Sequence, residues 1–168
     1  MSGQHRLHLG QGHEQRVQRE LERRGWHVQP WGQGLLDDVT RQALVEKAPI
    51  VLWRWMPDLI AVRDDKVALV DPKSDTRTDT PYYSIEISAL QAHRAMSVLG
   101  LRIVYVWGDL TVNYPENLIC ERWVMPDPGR NRVAANGSGT PFALVRKDAQ
   151  HPMDRLFGPV VQDRSGAA

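Results

Sequence analysis

The sequence lacks the features of a membrane protein, a disulfide-stabilised protein or a cysteine-bound metal site. Its one cysteine, Cys120, excludes an internal disulfide and a cysteine-based zinc site. No apolar run approaches the ~18 residues of a membrane-spanning helix, and residues 1–10 have no apolar core of the kind found in signal peptides. We therefore expect a cytoplasmic protein with no membrane partner, in which Cys120 is a buried thiol.

A strong excess of charge of either sign is absent as well. The formal net charge is +1 over 168 residues, whereas domains that bind nucleic acids are commonly basic. Contact with a phosphate backbone would therefore depend on local charge. Hydrophobic residues make up 42% of the chain and charged residues 24%, which favours a globular protein over a disordered one. The length predicts one domain with a substantial core.

The most informative segment is residues 56–73, which predicts a β-hairpin. Two short apolar runs, at 59–62 and 67–70, flank a polar tetrad at 63–66 that suits a turn. With the turn centred on residues 64 and 65, Asp58 lies directly opposite Asp71, with the two Cβ atoms roughly 5 Å apart. Lys73 falls on the same face as Asp71, because strand side chains alternate between the faces of a sheet. The hairpin thus brings two carboxylates and a lysine to one place.

Two aspartates directly opposite each other on paired strands destabilise the pair unless something neutralises them. A divalent cation would do so, and Mg²⁺ suits this place because it prefers oxygen ligands and keeps part of its hydration shell. A lysine beside that metal could orient or deprotonate a water, or stabilise charge on a phosphate. In the alternative interpretation, Asp58 and Asp71 are solvated strand ends and Lys73 only neutralises them.

The motif Pro57-Asp58, followed after twelve residues by Asp71-Pro72-Lys73, resembles the signature of the PD-(D/E)xK nuclease superfamily. The resemblance implies an α/β fold with a restriction-endonuclease-like core, in which a central mixed β-sheet is flanked by helices. It also implies that Asp58, Asp71 and the backbone carbonyl of Pro72 bind Mg²⁺, for which Mn²⁺ would substitute. Lys73 would then position the attacking water. A second acid-x-Lys triplet at 64–66 falls in the turn, too close to Asp58 for a hairpin to separate them.

A helix is predicted on each side of the hairpin along the chain. On the first, at 14–24, Glu14 shares one stripe with Val17 and Leu21. The superfamily resemblance implies that Glu14 contributes to the metal site, and an ordinary first-turn glutamate is the alternative. On the second, at 88–99, Gln91 matches a glutamine near the active site of archaeal-type Holliday junction resolvases, which the order of the elements also resembles. Ser88 and Gln91 equally fit a capping box, which needs no catalytic role.

Shorter signals complete the predicted fold. A first strand is expected at 26–31, with Trp26, Val28 and Trp31 in the core. Further strands are expected at 82–87, at 101–107, within 113–124 and, as an edge strand, at 142–145. Gly25 is expected to close the first helix.

The polar loop that follows Lys73 would lie beside any substrate at the metal. Its Thr76, Arg77 and Thr78 could hold phosphates of that substrate. A plain surface loop closed by Pro81 is the alternative.

Together these patterns predict one domain, with a nuclease-like core at 1–124 and a partly flexible C-terminal extension at 125–168. The expected activity is Mg²⁺-dependent hydrolysis of DNA phosphodiester bonds by a homodimer. Branched or duplex DNA would be the partner, in the manner of a Holliday junction resolvase acting in DNA recombination or DNA repair. A restriction-type or a recombination- or repair-associated nuclease is one alternative. The other is a non-catalytic DNA-binding module on the same fold.

Overall fold

The computed structural model describes residues 3–37, 39–40, 43, 52–74, 80–124 and 141–161. Within these ranges the chain forms a six-stranded mixed sheet and a three-stranded antiparallel sheet, together with helices. No helix of the described ranges is long and apolar enough to cross a membrane. The elements, in chain order, are α1 (Gly3–Glu22), β1 (His27–Pro30), β2 (Leu59–Arg63), β3 (Lys66–Lys73), β4 (Tyr82–Glu86), α2 (Ile87–Val98), β5 (Ile103–Trp107), β6 (Thr111–Asn113), β7 (Cys120–Val124), β8 (Phe142–Arg146), β9 (His151–Pro152) and α3 (Asp154–Phe157).

The larger sheet has the strand order β1-β2-β3-β5-β6-β9, and β3 and β5 are its parallel pair. The other neighbours pair antiparallel. Parallel neighbours need a long crossover, and β4 with α2 supplies it between β3 and β5. This central mixed sheet flanked by helices confirms the predicted α/β, restriction-endonuclease-like fold class.

Alternation along β5 gives the two faces of the larger sheet different partners. Every residue of Ile103–Trp107 is buried. Val106 belongs to the core that includes Leu21 of α1. Tyr105 faces the other way and packs in the core that includes Leu90 of α2 and residues of the second sheet. The sheet therefore has α1 on one face and α2 with the second sheet on the other.

The predicted hairpin is formed by β2 and β3 in the predicted register, in which Leu59 pairs with Val70. Asp64 lies in the turn with a φ of +54°, a left-handed conformation that aspartate adopts more readily than most residues. The register of the hairpin is therefore confirmed. Extended by one residue, the same register would set Asp58 opposite Asp71.

Some boundaries and side chains differ from the sequence expectations. Helix α1 begins at Gly3 and ends at Glu22, earlier at both ends than predicted, and Gly25 closes it with a φ of +77° as expected. Trp31 is 39% exposed rather than part of the core, because it follows the last residue of the edge strand β1. Cys120 is half-buried rather than buried.

The predicted strand at 82–87 is present as β4, but it lies in the second sheet and not beside β3. Its partner β8 lies between β4 and β7. The expectation of an edge strand at 142–145 is therefore wrong, because β7 pairs with the side of β8 that β4 leaves open. Strand β9 pairs with β6 in the larger sheet. The boundary between 1–124 and 125–168 stays a prediction, and residues 125–140 and 162–168 lie outside the described ranges.

Candidate active site

A cleft opens where the hairpin strands end, beside the first turns of α2. Strand β2 begins at Leu59 and β3 ends at Lys73, so the residue before β2 and the last residues of β3 meet there. The 3₁₀ turn Leu52–Trp55 and the residue after it complete the wall. The residues that line the cleft are Arg54, Trp55, Met56, Asp58, Asp71, Lys73, Ala89 and His93.

Asp71 and Lys73 form an ion pair inside this cleft. Asp71 is only 5% exposed, and its Oδ2 lies 2.8 Å from Nζ of Lys73. The two residues are two apart on β3, so their side chains leave the same face of the strand. Nζ of Lys73 also lies 5.5 Å from the centre of the Tyr105 ring, close enough for a cation–π contact. The lysine therefore has a restricted position before any substrate binds.

Asp58 is an acid whose ionised form is unfavourable at this place. Burial raises the pKa of Asp58 from its ordinary 3.8 to about 7, and the nearby carboxylate of Asp71 adds to the rise. Glu14 raises the pKa of Asp58 further, whereas Lys73 lowers it. A divalent cation between the two aspartates would oppose both main causes, because it replaces lost water and adds positive charge. The donor set therefore fits a hard cation such as Mg²⁺.

Pro72 lies between the two charged motif residues, opposite Val106 of β5. The pairing of β2 with β3 has already ended at Leu59 and Val70, so Pro72 has a strand neighbour on one side only. A proline has no N–H to donate and is tolerated in a sheet at such an open position. The role that the superfamily resemblance implies for Pro72 requires only its backbone carbonyl.

Sequence reasoning missed His93, which the structure buries beside Asp71. His93 is 1% exposed. Its Nδ1 lies 3.5 Å from Oδ2 of Asp71 and 2.6 Å from the hydroxyl oxygen of Tyr105, while its Nε2 lies 2.5 Å from the carbonyl oxygen of Trp55. Burial lowers the pKa of His93, although the Asp71 carboxylate acts in the opposite direction. The imidazole is therefore neutral at pH 7.

The partners of the His93 ring determine its tautomer. A carbonyl oxygen only accepts hydrogen bonds, so Nε2 donates to Trp55. In the neutral ring Nδ1 is then an acceptor, and the Tyr105 hydroxyl donates a hydrogen bond to it. Burial, and then the Asp71 carboxylate, raise the pKa of Tyr105 well above its ordinary value. The phenol therefore stays a hydrogen-bond donor at neutral pH.

A signal for His93 is present in the sequence. The histidine follows Ala89 by four residues and precedes Met96 by three, so it lies on the same face of the second helix as these two apolar residues. A histidine on such a stripe is more often a packed core residue than part of a site. Only the pairing of β3 with β5 under α2 places Asp71 beside it.

Glu14 lies close enough to Asp58 to raise its pKa. It is half-buried on α1, and burial raises the pKa of Glu14 as well. The adjacent His13 anchors this part of the helix, because its Nε2 donates to the carbonyl of Val106 at 3.2 Å. Among the described residues, no group of three or more His, Cys, Asp and Glu side chains is placed to hold a metal ion. Glu14 is therefore near the aspartate pair without completing a set of three side-chain ligands.

The remaining predicted site residues are not found in the cleft. Gln91 is exposed and does not line it. Helix α2 starts before Ser88, with Glu86 as its N-cap and no capping bond from that side chain, so the predicted capping box is not formed. His93 points roughly 200° around the helix from Gln91, which turns the glutamine towards solvent. The residues predicted to hold phosphates lie outside the described ranges: Thr76, Arg77 and Thr78.

Comparison with known proteins gives a match at the level of the fold. No protein-family model matches the chain, and no curated protein matches it. The fold is similar to that of a Holliday junction resolvase from the archaeal hyperthermophile Archaeoglobus fulgidus, with a TM-score of 0.53 and 10% sequence identity, covering 91% of this chain and 98% of that chain. At this identity the likeness shows the fold alone.

Proposed function

We propose that this chain is a Mg²⁺-dependent DNA endonuclease that hydrolyses phosphodiester bonds and prefers branched DNA. The observation that carries the proposal is the cleft that holds Asp58 and Asp71 together, with Lys73 bound to Asp71. Apposed carboxylates and a neighbouring lysine are the groups that metal-dependent phosphodiester hydrolysis uses. The similar fold of a protein named as a Holliday junction resolvase supports branched DNA as the substrate. Such an activity belongs to DNA recombination or repair.

Asp58, Asp71 and the backbone carbonyl of Pro72 would hold the metal. The bound ion would stabilise negative charge on the phosphate and lower the pKa of a water ligand. Mn²⁺ would substitute for Mg²⁺, because both take octahedral oxygen ligands. Glu14 would add a third negative charge beside the pair, and this favours a divalent over a monovalent cation.

Lys73 would orient the attacking water and stabilise charge that develops on the phosphate oxygens. Its ammonium group is already restricted by Asp71 and by the face of Tyr105. A group that is held in place beforehand loses little freedom when the reaction occurs. We therefore expect removal of the Lys73 side chain to lower kcat more than it raises KM.

We further propose that the protein acts as a homodimer. A four-way DNA junction is resolved by cuts in two strands of equivalent geometry, and a two-fold dimer would present two identical clefts to them. Size-exclusion chromatography with light scattering measures the state in solution. A mass of two chains is expected, and a monomer that still makes paired cuts would contradict the dimer while leaving the activity intact.

Cleavage of labelled DNA tests the activity. The protein is incubated with Mg²⁺ or with EDTA on four-way, flapped, nicked and linear DNA of related sequence. We expect Mg²⁺-dependent cleavage that is fastest on the four-way junction. Asp71→Ala and Lys73→Ala should lose about 10²-fold or more in rate while keeping the wild-type circular dichroism spectrum. Asp64→Asn and Lys66→Ala, in the acid-x-Lys triplet of the turn, are matched controls that should cleave normally.

The outcomes distinguish nuclease activity, a preference for branched DNA and DNA binding without cleavage. Equal cleavage by the wild type and by both site variants would show that Asp71 and Lys73 are not the nuclease centre. Equal rates on linear and four-way DNA would leave a nuclease and overturn the preference for branched DNA. Binding of DNA without cleavage under any divalent metal would favour the non-catalytic module.

A further inference from the structure

One wall of the cleft carries a second basic residue. Arg54 belongs to the 3₁₀ turn Leu52–Trp55 and lines the cleft together with Asp58 and Lys73. It is half-buried, and its guanidinium carbon lies 5.0 Å from the centre of the Trp55 ring. Stacking on an aromatic ring holds a guanidinium group in a defined plane. Arg54 is thus oriented within the cleft without belonging to the acid-x-Lys motif.

The backbone beside Arg54 is held by His93. Nε2 of His93 donates to the carbonyl oxygen of Trp55 at 2.5 Å, and the imidazole is almost fully buried. Because the donor side of this bond is buried, the bond competes less with water than one at the surface. The bond ties the 3₁₀ turn to α2, and the Tyr105 hydroxyl fixes the ring from its other nitrogen.

The acids of the cleft repel a phosphate when they are ionised. Asp58 and Asp71 are negative when ionised, Glu14 adds to the field that they create, and Lys73 is bound to Asp71. A metal ion would balance the aspartates, but the DNA backbone brings one further negative charge with every phosphate. A guanidinium group can bind two oxygens of one phosphate at the same time. Arg54 lines the same cleft as Asp58 and Lys73, so it is a basic group that a phosphate entering this cleft would approach.

We propose that Arg54 binds a backbone phosphate of the DNA next to the cleaved bond, and that His93 positions Arg54 by fixing the carbonyl of Trp55. This inference rests on the proposed nuclease function of the same cleft. Arg54 would be a substrate-binding residue and His93 a positioning residue.

Substitution of Arg54 tests the phosphate contact. Steady-state cleavage with Mg²⁺ gives KM and kcat, and fluorescence anisotropy of a labelled four-way junction in EDTA gives Kd. We expect Arg54→Ala to raise KM and Kd about tenfold, with a larger effect on KM than on kcat, and to reduce the slope of log Kd against log salt by about 1. Arg54→Lys should recover part of the affinity because it keeps the charge. Lys66→Ala, which removes a positive charge at the far end of β3, should change neither constant.

Two amide substitutions test the role of His93. In His93→Gln the side-chain amide nitrogen can take the place of Nε2 and still donate to Trp55, whereas in His93→Asn it can reach only the place of Nδ1. We expect KM within about twofold of wild type for His93→Gln and about fivefold higher for His93→Asn. In the Arg54→Ala background, His93→Asn should raise KM no further, because a residue that acts through Arg54 has no effect without it.

Each result decides between the possibilities. Wild-type KM and an unchanged salt slope in Arg54→Ala, with normal cleavage by the wild type, would overturn this inference and leave the nuclease function standing. Equal KM values for His93→Gln and His93→Asn, or additive effects in the double variant, would overturn the positioning role. Absence of any DNA binding or cleavage by the wild type would overturn this inference together with the proposed function. Thermal unfolding of every variant identifies those that fail to fold, and for these the weaker Arg54→Lys and His93→Gln changes carry the comparison.

Discussion

Replacement of Asp58 by asparagine should make the metal-free protein more stable at pH 8, although it removes a carboxylate of the proposed metal site. Burial and the Asp71 carboxylate raise the pKa of Asp58 from 3.8 to about 7 in the folded protein. In the unfolded chain the carboxyl ionises near its ordinary value. Between these two pH values the folded state therefore keeps a proton that the unfolded state has lost. The stability that this group contributes is complete below about pH 4 and is lost as the pH rises through 7.

The size of the effect follows from the shift in pKa. A rise of about 3 pKa units, at ~1.4 kcal/mol for each unit, sets an upper limit of about 4 kcal/mol on the loss in the free energy of unfolding at pH 8. For a chain of this length, that is roughly 8–16 °C in Tm. Asparagine keeps the shape of the side chain and cannot ionise. Asp58→Asn should therefore gain part of this stability at pH 8 and little at pH 4.

Unfolding in urea, followed by circular dichroism in EDTA at pH 4 and pH 8, measures the difference. Asp64→Asn is the matched control, because it makes the same chemical change at a side chain that is 80% exposed in the hairpin turn. Added Mg²⁺ should stabilise the wild type at pH 8 and should not stabilise Asp58→Asn. An Asp58→Asn variant no more stable than the wild type at pH 8 would show that ionised Asp58 does not destabilise the folded protein.

Three further substitutions change residues that do not line the cleft. Gly32→Ala should lower the free energy of unfolding by roughly 2 kcal/mol or more and should slow cleavage. The reason is that the added Cβ would lie 2.5 Å from the carbonyl oxygen of Pro57. Urea unfolding measures the first effect and the cleavage assay the second. Arg63→Ala should lower the free energy of unfolding by about 2 kcal/mol and leave kcat unchanged, because its guanidinium group donates to two backbone carbonyls at the far end of the hairpin. Gln91→Ala should change neither the stability nor KM in the same assays, since Gln91 is exposed and lies outside the cleft.

Gly100→Ala is the matched control for Gly32→Ala. Gly100 also has a positive φ, of +88°, yet nothing lies within 4 Å of a Cβ added there. It therefore measures the backbone strain alone, at about 1–2 kcal/mol. Equal losses in the two variants would contradict the contact with Pro57. Slower cleavage by a folded Gln91→Ala variant would restore the role that the sequence resemblance implies for Gln91.

The hairpin could be predicted from the sequence because its information is local. A turn at 64–65 and a period of two are enough to set Asp58 opposite Asp71 and Lys73 on the same face as Asp71. Strand β5 was also predictable, because all of its residues are buried and its apolar run is continuous. Helix α2 begins and ends within one residue of its predicted bounds. Its first residue depends on where β4 ends, and for this reason Gln91 does not form the predicted capping box.

Other parts of the site could not be read from local patterns. His93 has the spacing of a core residue, and its contact with Asp71 exists only because β3 and β5 pair parallel beneath α2. Arg54 precedes the hairpin in a segment whose periodicity does not indicate a cleft wall. The bond from His93 to the Trp55 carbonyl joins this segment to α2.

The sequence by itself determined the hairpin, its register and the meeting of Asp58, Asp71 and Lys73, because turn and alternation act over a few neighbouring residues. The tertiary structure decided the environment of these groups. Burial and the approach of Glu14 raise the pKa of Asp58, and the β3–β5 pairing places Tyr105 beside Asp71 and brings His93 against both. Burial and long-range pairing join segments that lie far apart along the chain, so no local pattern specifies them.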